Sequence, residues 1–371
     1  MLDAMSYSGF YSNSYDIGSD IDDSDALSIP PFSPPPSVSA SSHTSYDVSM
    51  RSSSPTPSVW SVTSSIRAQA FKQEFGRGIN NYSEVYRLPA DDEELDRLEK
   101  QHLMFKEVLG NYPPPMIEVM ADDVPGETKA CLDLGCGSGG WILDTARDFP
   151  HAQTVAVDLV PMQSLTMPPN CRSEVDDINL GLEHFYGDFN VVHAQLIASG
   201  IKDFHNLIDH ISRVIRPGGL IILIEWDFAC YDMNHQLVEV GTHELKAPWW
   251  PRWLAFAQIA IRNSGGSVEA AENLKSWVTH HPAFEDPVYQ EYWIPTSQWA
   301  NGNDFLMRVG ATMGEDICAF LRSGRPLLLG SGVPEAVVDE LQHKATMEIK
   351  RATTPHYVLL RRIYARKKHP Q

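Results

Sequence analysis

The sequence of 371 residues has few cysteines, no long apolar run and no early basic residue. Its five cysteines are an odd number without a C-x-x-C pair, which argues against a disulfide framework or zinc module and indicates reduced, intracellular thiols. The longest strictly aliphatic run, Leu220 to Ile224, is far too short to cross a bilayer. No lysine or arginine precedes Arg51, so no cationic start of a secretory signal is present. We therefore expect neither a membrane protein nor a secreted scaffold.

Basic residues are also scarce relative to acidic ones. The 29 lysines and arginines face 48 aspartates and glutamates, which gives a formal net charge of −19. Such a field repels phosphate backbones and anionic membranes, so we expect no direct nucleic-acid binding and no membrane binding. The pair His280-His281 lacks partners at metal-ligand spacing, and we expect no metal. The composition leaves an intracellular location open between cytoplasm and nucleus.

The first 66 residues differ in composition from the rest of the chain. They contain 21 serines and seven prolines, with a single basic residue. Such a segment cannot bury enough apolar surface to offset the entropy lost on ordering. We predict a disordered acidic tail over residues 1–66 and one folded domain over residues 67–371.

Short apolar runs alternate with helix-length amphipathic segments beyond the tail. An apolar face at helical spacing (Leu95, Leu98, Phe105 and Leu109) predicts a cap helix within residues 82–112. Apolar runs at 130–134, 154–159, 171–176, 190–194 and 220–226 predict the strands of a core over residues 128–227. This alternation is typical of a Rossmann-like, doubly wound α/β fold with a mostly parallel sheet of about seven strands.

The C-terminal third departs from this alternation. Residues 228–285 look helical and tryptophan-rich, and we expect them to form a lid insertion. Residues 286–371 contain strand candidates at 288–294 and 357–365, with helices predicted at 312–322 and 334–351 between them. We expect this segment to complete the sheet with an antiparallel C-terminal strand.

The strongest motif is a glycine-rich corner after the first core strand. Asp133 precedes Gly135, Gly137 and Gly139, and glycines at such a corner let the backbone approach an anionic or polar ligand. Asp158 ends the next strand, nineteen residues past Gly139, where a carboxylate can accept both ribose hydroxyls. Asp177 follows the third strand and can accept a hydrogen bond from an exocyclic amine. Together they predict an adenosine-plus-amino-acid pocket, while the glycine spacing also permits NAD(P).

These motifs resemble those of class I S-adenosylmethionine-dependent methyltransferases, as do Val191-Val192-His193-Ala194-Gln195 and Arg216-Pro217-Gly218-Gly219. Four further stretches look like the fungal LaeA-type family, which includes methyltransferase-like regulators of secondary metabolism: Tyr86-Arg87-Leu88-Pro89, Glu99-Lys100-Gln101-His102, Asp158-Leu159-Val160-Pro161-Met162-Gln163 and Ile224-Glu225-Trp226-Asp227.

The resemblance implies a role for each cofactor residue. Asp133 and the backbone of Gly135, Gly137 and Gly139 would adjoin the methionine part of S-adenosyl-L-methionine, and Asp158 would hold the ribose. The adenine would lie between Leu159 and Ile178, with its amine on Asp177. Tyr86 and Gln101 lie on the segment that covers the cofactor in relatives.

Residues on the acceptor side are less clearly marked. His193 is the first candidate for a catalytic base by its position, and Glu225 is the second. Seven of the nine tryptophans fall between residues 226 and 299. Trp226, Trp249, Trp250 and Trp253 could line a pocket for a flat hydrophobic substrate, or they could simply pack a helical layer onto the sheet.

We expect an enzyme that transfers a methyl group to an oxygen or nitrogen of a small natural product or a protein. An alternative is a cofactor-binding regulatory protein that controls secondary-metabolism genes through protein partners. A remote alternative is an NAD(P)-dependent oxidoreductase.

Overall fold

The computed structural model describes residues 69–162, 166–300 and 302–370. The predicted tail at residues 1–66 and Gln163 lie outside these ranges. An antiparallel hairpin of β1 (Phe71–Glu74) and β2 (Arg77–Asn80) lies near the beginning of the described residues. Its two-residue turn, Phe75-Gly76, has φ values of 50° and 77°, as a type I′ turn requires. This hairpin was not predicted from the sequence, because its strands are short and largely polar.

A seven-stranded sheet forms the centre of the molecule, in the order β5-β4-β3-β6-β7-β9-β8. Strands β3 to β7 are parallel, while β9 pairs antiparallel with both β7 and β8. This confirms the predicted fold class. The strands are β3 (Ala130–Leu134), β4 (Gln153–Asp158), β5 (Cys171–Val175), β6 (Phe189–Gln195), β7 (Ile215–Trp226), β8 (Phe284–Pro295) and β9 (Tyr357–Lys367).

The strand order reverses between β3 and β6. Connections from β3 lead towards β5 on one side, and those from β6 lead towards β7 on the other. A crevice opens at such a switch point, beyond the carboxyl ends of the strands, and ligands of open α/β sheets bind there. All five residues of β3 are buried, because helices cover both faces of the sheet.

Helices pack on both faces of the sheet. They are α1 (Asp92–Leu109), α2 (Pro114–Val119), α3 (Gly140–Asp148), α4 (Phe204–Val214), α5 (Trp249–Ser264), α6 (Ala270–His280), α7 (Asp304–Ser323), α8 (Arg325–Gly330) and α9 (Glu335–Arg351). The predicted cap helix corresponds to α1, which begins after Asp91; the side chain of Asp91 accepts a hydrogen bond from the Glu94 N–H at 3.2 Å. None of the described helices is both long and apolar enough to cross a membrane.

The segment predicted as a helical lid contains two helices and a long irregular stretch. Residues 228–248 form no helix, so the expectation of a helical lid over 228–285 is met only by α5 and α6. Helix α5 packs against α9 and α8, while α6 packs against α4 and β8. Both helices therefore belong to the layers that bury the sheet.

Candidate functional site

The corner after β3 strongly favours glycine at three of its five positions. Gly135, Gly137 and Gly139 have φ values of 70°, 54° and 82°, a region that other residues rarely adopt. A Cβ atom at Gly135 would also collide with the side chain of Ile197. The N–H of Gly135 donates to the Val157 carbonyl at 2.8 Å, which fixes the corner against β4. The backbone of this corner is thus held at the switch point and open to close approach.

Asp158, at the end of β4, faces the same corner. Its Oδ2 accepts a hydrogen bond from the Gly137 N–H at 2.8 Å, and its Oδ1 accepts one from the Val160 N–H at 3.3 Å. Burial raises the pKa of Asp158 to about 6, although these two N–H donors favour its charged form. The carboxylate therefore lies where it can accept hydroxyl hydrogen bonds from a ligand seated on the glycine corner.

Asp177 organises the next wall of the crevice. It caps a short 3₁₀ helix (Ile178–Leu180), and its Oδ1 accepts from the N–H of Asn179 at 3.1 Å and from the Asn179 side-chain amide at 2.8 Å. The Asn179 amide also donates to the Gly200 carbonyl at 2.9 Å. Asn179 therefore ties the loop after β5 to the loop after β6.

Helix α1 covers the glycine corner. Leu98 lies 3.0 Å from the position that a Cβ atom at Gly137 would occupy. Asp144 of α3 accepts from Lys106 Nζ at 2.6 Å, and its Oδ2 lies 3.2 Å from His102 Nε2. These contacts join α1 to α3, the helix that starts at the corner, so α1 is held over the crevice.

One cavity of about 150 Å³ brings most of the predicted residues together. Its walls include Asp133, Gly135, Gly137, Asp158, Leu159, Asp177, Ile178, Tyr86, Gln101 and His193. Gly139 lies outside the described wall, where it serves as the N-cap of α3. We call this space the cofactor cavity. Its walls also include residues that the sequence did not single out for this site: Leu98, Trp141, Asn179, Leu196 and Ile197.

His193 and Asp133 form a buried pair in the wall of this cavity. His193 Nδ1 lies 2.8 Å from Asp133 Oδ1, and the imidazole stacks on Trp141 with ring centroids 3.8 Å apart. An ionised carboxylate can only accept, so Nδ1 is the nitrogen that donates to it, and in a neutral imidazole with this tautomer Nε2 carries the lone pair. Within the described ranges, Nε2 is buried without a hydrogen-bond partner. His193 is therefore oriented as a proton acceptor.

Glu225 lies behind the cavity wall. Its Oε1 accepts from the N–H groups of Ile197 and Ala198 at 2.7 and 3.0 Å, and only 1% of the residue is exposed. Burial raises the pKa of Glu225 to about 8. The carboxyl group thus fixes the turn that carries Ile197 against Gly135. This geometry favours a positioning role over the base role considered for Glu225.

The four candidate substrate tryptophans separate into two groups. Trp253 is completely buried within the helical layer, and the backbone N–H of half-buried Trp249 donates to Glu348 at 2.8 Å. Trp226 and Trp250 line a second cavity of about 80 Å³, together with Phe228, Met313, Asp316 and Phe320. We call it the aromatic cavity. It shares Tyr86, Leu98, Gln101 and Leu196 with the cofactor cavity, so the two spaces adjoin.

Comparisons with known proteins agree with this geometry. The family model of a methyltransferase domain matches residues 110–281. "Secondary metabolism regulator laeA" of Coprinopsis cinerea is 48% identical over 300 residues, which cover 80% of this chain and 74% of that protein. The chain belongs to the LaeA family. The resemblance stated from the sequence is therefore confirmed, and the methyltransferase interpretation is favoured over the oxidoreductase alternative.

Other similar proteins are more distant from this LaeA-family chain. "Methyltransferase str2" of Strobilurus tenacellus is 33% identical over 39% of this chain and 50% of its own length. "Methyltransferase pytC" of Aspergillus terreus is 27% identical over 64% of this chain and 69% of its own length. Among solved structures, a phosphoethanolamine N-methyltransferase of Haemonchus contortus covers 75% of this chain and 61% of its own, with 15% identity and a TM-score of 0.37.

Proposed function

We propose that the chain binds S-adenosyl-L-methionine in the cofactor cavity and transfers its methyl group to a bound acceptor. The observation that carries this proposal is the convergence of the glycine corner, Asp158 and Asp177 on one cavity beneath α1. If these three features served only to cap turns and helices, they would have no reason to line the same cavity. The family membership supports the proposal independently.

The residues present fit an adenosine ligand with an amino-acid part. Gly135 and Gly137 line the cavity without side chains, so a ligand can approach their backbone closely. Asp158 would accept the ribose hydroxyls, and Asp177 would accept the adenine amine between Leu159 and Ile178. Asp133 would lie beside the amino group of the methionine part.

The bound cofactor supplies an activated methyl group on a sulfonium, so the protein mainly aligns the acceptor and excludes water. Helix α1 provides the exclusion through its contacts with α3. A hydroxyl acceptor must lose its proton as it reacts, and His193 Nε2 can receive that proton. Asp133 keeps the imidazole in the tautomer that this step needs.

Calorimetric titration with S-adenosylmethionine and S-adenosylhomocysteine tests the proposal. We expect the full chain to bind both ligands with micromolar affinity. The affinity of Asp158→Asn should be lower by at least about tenfold, because the substitution removes one charged hydrogen-bond acceptor. The matched control is Asp122→Asn, an exposed aspartate, and it should bind as the wild type does. Absence of binding, equal binding by Asp158→Asn, or tighter binding of NAD would refute the proposal.

A second candidate function is regulation of secondary-metabolism genes through protein partners, in the cytoplasm or the nucleus. The observation that favours it is the 48% identity to a protein named as such a regulator. The test is gene expression in a host strain that carries the Asp158→Asn allele in place of the native gene. Expression that falls as in a deletion strain would link regulation to the cofactor. Normal expression would show a regulatory role that does not need it.

A further inference from the structure

The aromatic cavity has apolar walls and one charged end. Trp226, Phe228, Trp250 and Phe320 contribute aromatic rings to its lining. The charged end consists of Arg97 of α1 and Asp316 of α7. Such a cavity, with few polar groups on mostly apolar walls, is the usual form of a small-molecule site.

The charged end has an excess of negative charge. Arg97 donates to Glu94 Oε1 at 2.7 Å and to Asp316 Oδ1 at 2.8 Å, so two carboxylates share one guanidinium. All three side chains are at most 8% exposed. The group therefore carries one uncompensated negative charge when both acids are ionised. A buried excess charge is costly, and either a cation or a proton relieves it.

Gln101 places this charged end next to the cofactor cavity. Its side-chain amide donates to Asp316 Oδ2 at 3.0 Å, and the same residue lines both cavities. A cation held beside Asp316 would therefore lie at the boundary between the two spaces. A group held there faces both the cofactor cavity and the aromatic cavity.

A second, independent feature points to a ligand in the aromatic cavity. Trp250 is completely buried, and its indole Nε1 has no hydrogen-bond partner in the part of the chain that the structure describes. An unpaired buried N–H costs about 1–3 kcal/mol, and an oxygen atom of a bound molecule would satisfy it. The indole N–H of Trp253 is also unpaired, but Trp253 lines neither cavity, whereas Trp250 lines the aromatic cavity. The cavity thus offers a donor from a lining residue and excess negative charge at one end.

We propose that the aromatic cavity is the acceptor site and selects a small aromatic amine that carries an oxygen atom on its ring. The ammonium faces Asp316, the ring packs on the aromatic walls, and the ring oxygen accepts from Trp250. This deepens the proposed function and rests on its cofactor site. It replaces the hydroxyl acceptor by an amine, so Asp316 takes the proton in place of His193, which lines the cofactor cavity and is not among the residues that line the aromatic cavity. An anionic acceptor is excluded by the negative end, whereas a cation gains from the aromatic rings as well.

The protons and electron pairs of the methyl transfer are accounted for by the amine, Asp316 and the cofactor sulfur. The ammonium first gives a proton to the Asp316 carboxylate, whose pKa is raised by burial. The nitrogen lone pair then forms the bond to the methyl carbon while the carbon–sulfur bond breaks and its electron pair remains on sulfur. The methylated nitrogen becomes the new ammonium, and no further reactant is required.

Three probes that share a phenol ring and carry a short tail of positive, neutral or negative charge test this inference: tyramine, tyrosol and 4-hydroxyphenylacetate. Calorimetry with the full chain, alone and saturated with S-adenosylhomocysteine, should show tyramine binding about tenfold more tightly than tyrosol and no binding of the carboxylate. Asp316→Asn should remove the preference for tyramine. The control Asp304→Asn, an exposed position on the same helix, should keep it. Trp250→Phe should weaken tyramine and tyrosol by a similar factor.

The two proposals can fail separately. Without S-adenosylhomocysteine binding, the proposed function fails, while the probe series on the chain alone still measures the preference of the cavity. If S-adenosylhomocysteine binds but tyrosol equals tyramine, or Asp316→Asn retains the preference, the amine inference is refuted. Circular dichroism of each variant verifies that the fold is kept.

Discussion

Glu225→Gln is expected to make the protein more stable, by an amount that grows with pH. Burial raises the pKa of Glu225 from its ordinary 4.5 to about 8. Each unit of such a shift corresponds to about 1.4 kcal/mol, so ionised Glu225 costs the folded state roughly 5 kcal/mol. Glutamine keeps an oxygen that can accept the N–H groups of Ile197 and Ala198 but carries no charge.

The sign of the effect follows from proton binding in the two states. Below pH 4.5, Glu225 is protonated in both, and no stability difference arises. Between 4.5 and about 8 the folded state retains a proton that the unfolded state has lost, so wild-type stability falls by up to about 1.4 kcal/mol per pH unit. Above about 8 the folded state also ionises, and the full cost is present. The glutamine variant lacks this fall.

Urea unfolding monitored by tryptophan fluorescence at pH 5, 6, 7 and 8 measures the difference. The free energy of unfolding of Glu225→Gln should exceed that of the wild type by an amount that rises at each step. Glu272→Gln, at an exposed position on α6, is the matched control and should follow the wild type. Parallel curves for Glu225→Gln and the wild type would refute the reasoning, because they would show that Glu225 titrates alike in both states.

Three further outcomes are expected. Gly135→Ala should abolish S-adenosylhomocysteine binding in calorimetry, because the added Cβ collides with Ile197. The control Gly126→Ala, also at a positive φ of 84° but with open space around the added Cβ, should bind normally. Normal binding by Gly135→Ala would contradict this. The affinity for S-adenosylhomocysteine should fall as the pH is lowered through about 6, where Asp158 gains a proton. This pH dependence should vanish in Asp158→Asn. Identical pH profiles of the wild type and Asp158→Asn would contradict the prediction. Trp253→Ala should lower the free energy of unfolding by about 3–5 kcal/mol, as expected for a core tryptophan, and an unchanged urea midpoint would disagree.

Buried parallel strands were the easiest part of the fold to predict. The run at 130–134 coincides with β3 because a strand covered on both faces consists almost wholly of apolar residues. The hairpin of β1 and β2 was missed since its short strands lack such a run. Residues 228–248 belong to the segment predicted as a helical lid over 228–285, yet they form no helix, because they lack the apolar face at helical spacing that would indicate one.

The residues of the candidate site also divide into those that the sequence could indicate and those that it could not. Glycines and carboxylates at strand ends are local features, so Gly135, Asp158 and Asp177 could be assigned before the structure was known. Asn179 and Trp141 could not, because their roles depend on contacts with Gly200 and His193, residues of a different strand and its following loop. A cluster of tryptophans likewise does not reveal which members line a cavity and which are core.

Helix α1 explains why the two cavities adjoin. Its Lys106 and His102 face Asp144 of α3, beside the glycine corner, and its Arg97 and Gln101 face Asp316 of α7. One helix thus forms a wall of both spaces and is tied by charged groups on both sides. Met104 and Phe105 of α1 also lie in one buried apolar cluster with Met313 and Phe320 of α7, so apolar packing and charged groups together hold α1 against α7. We therefore regard α1 as the element whose position decides whether cofactor and acceptor share one water-free space.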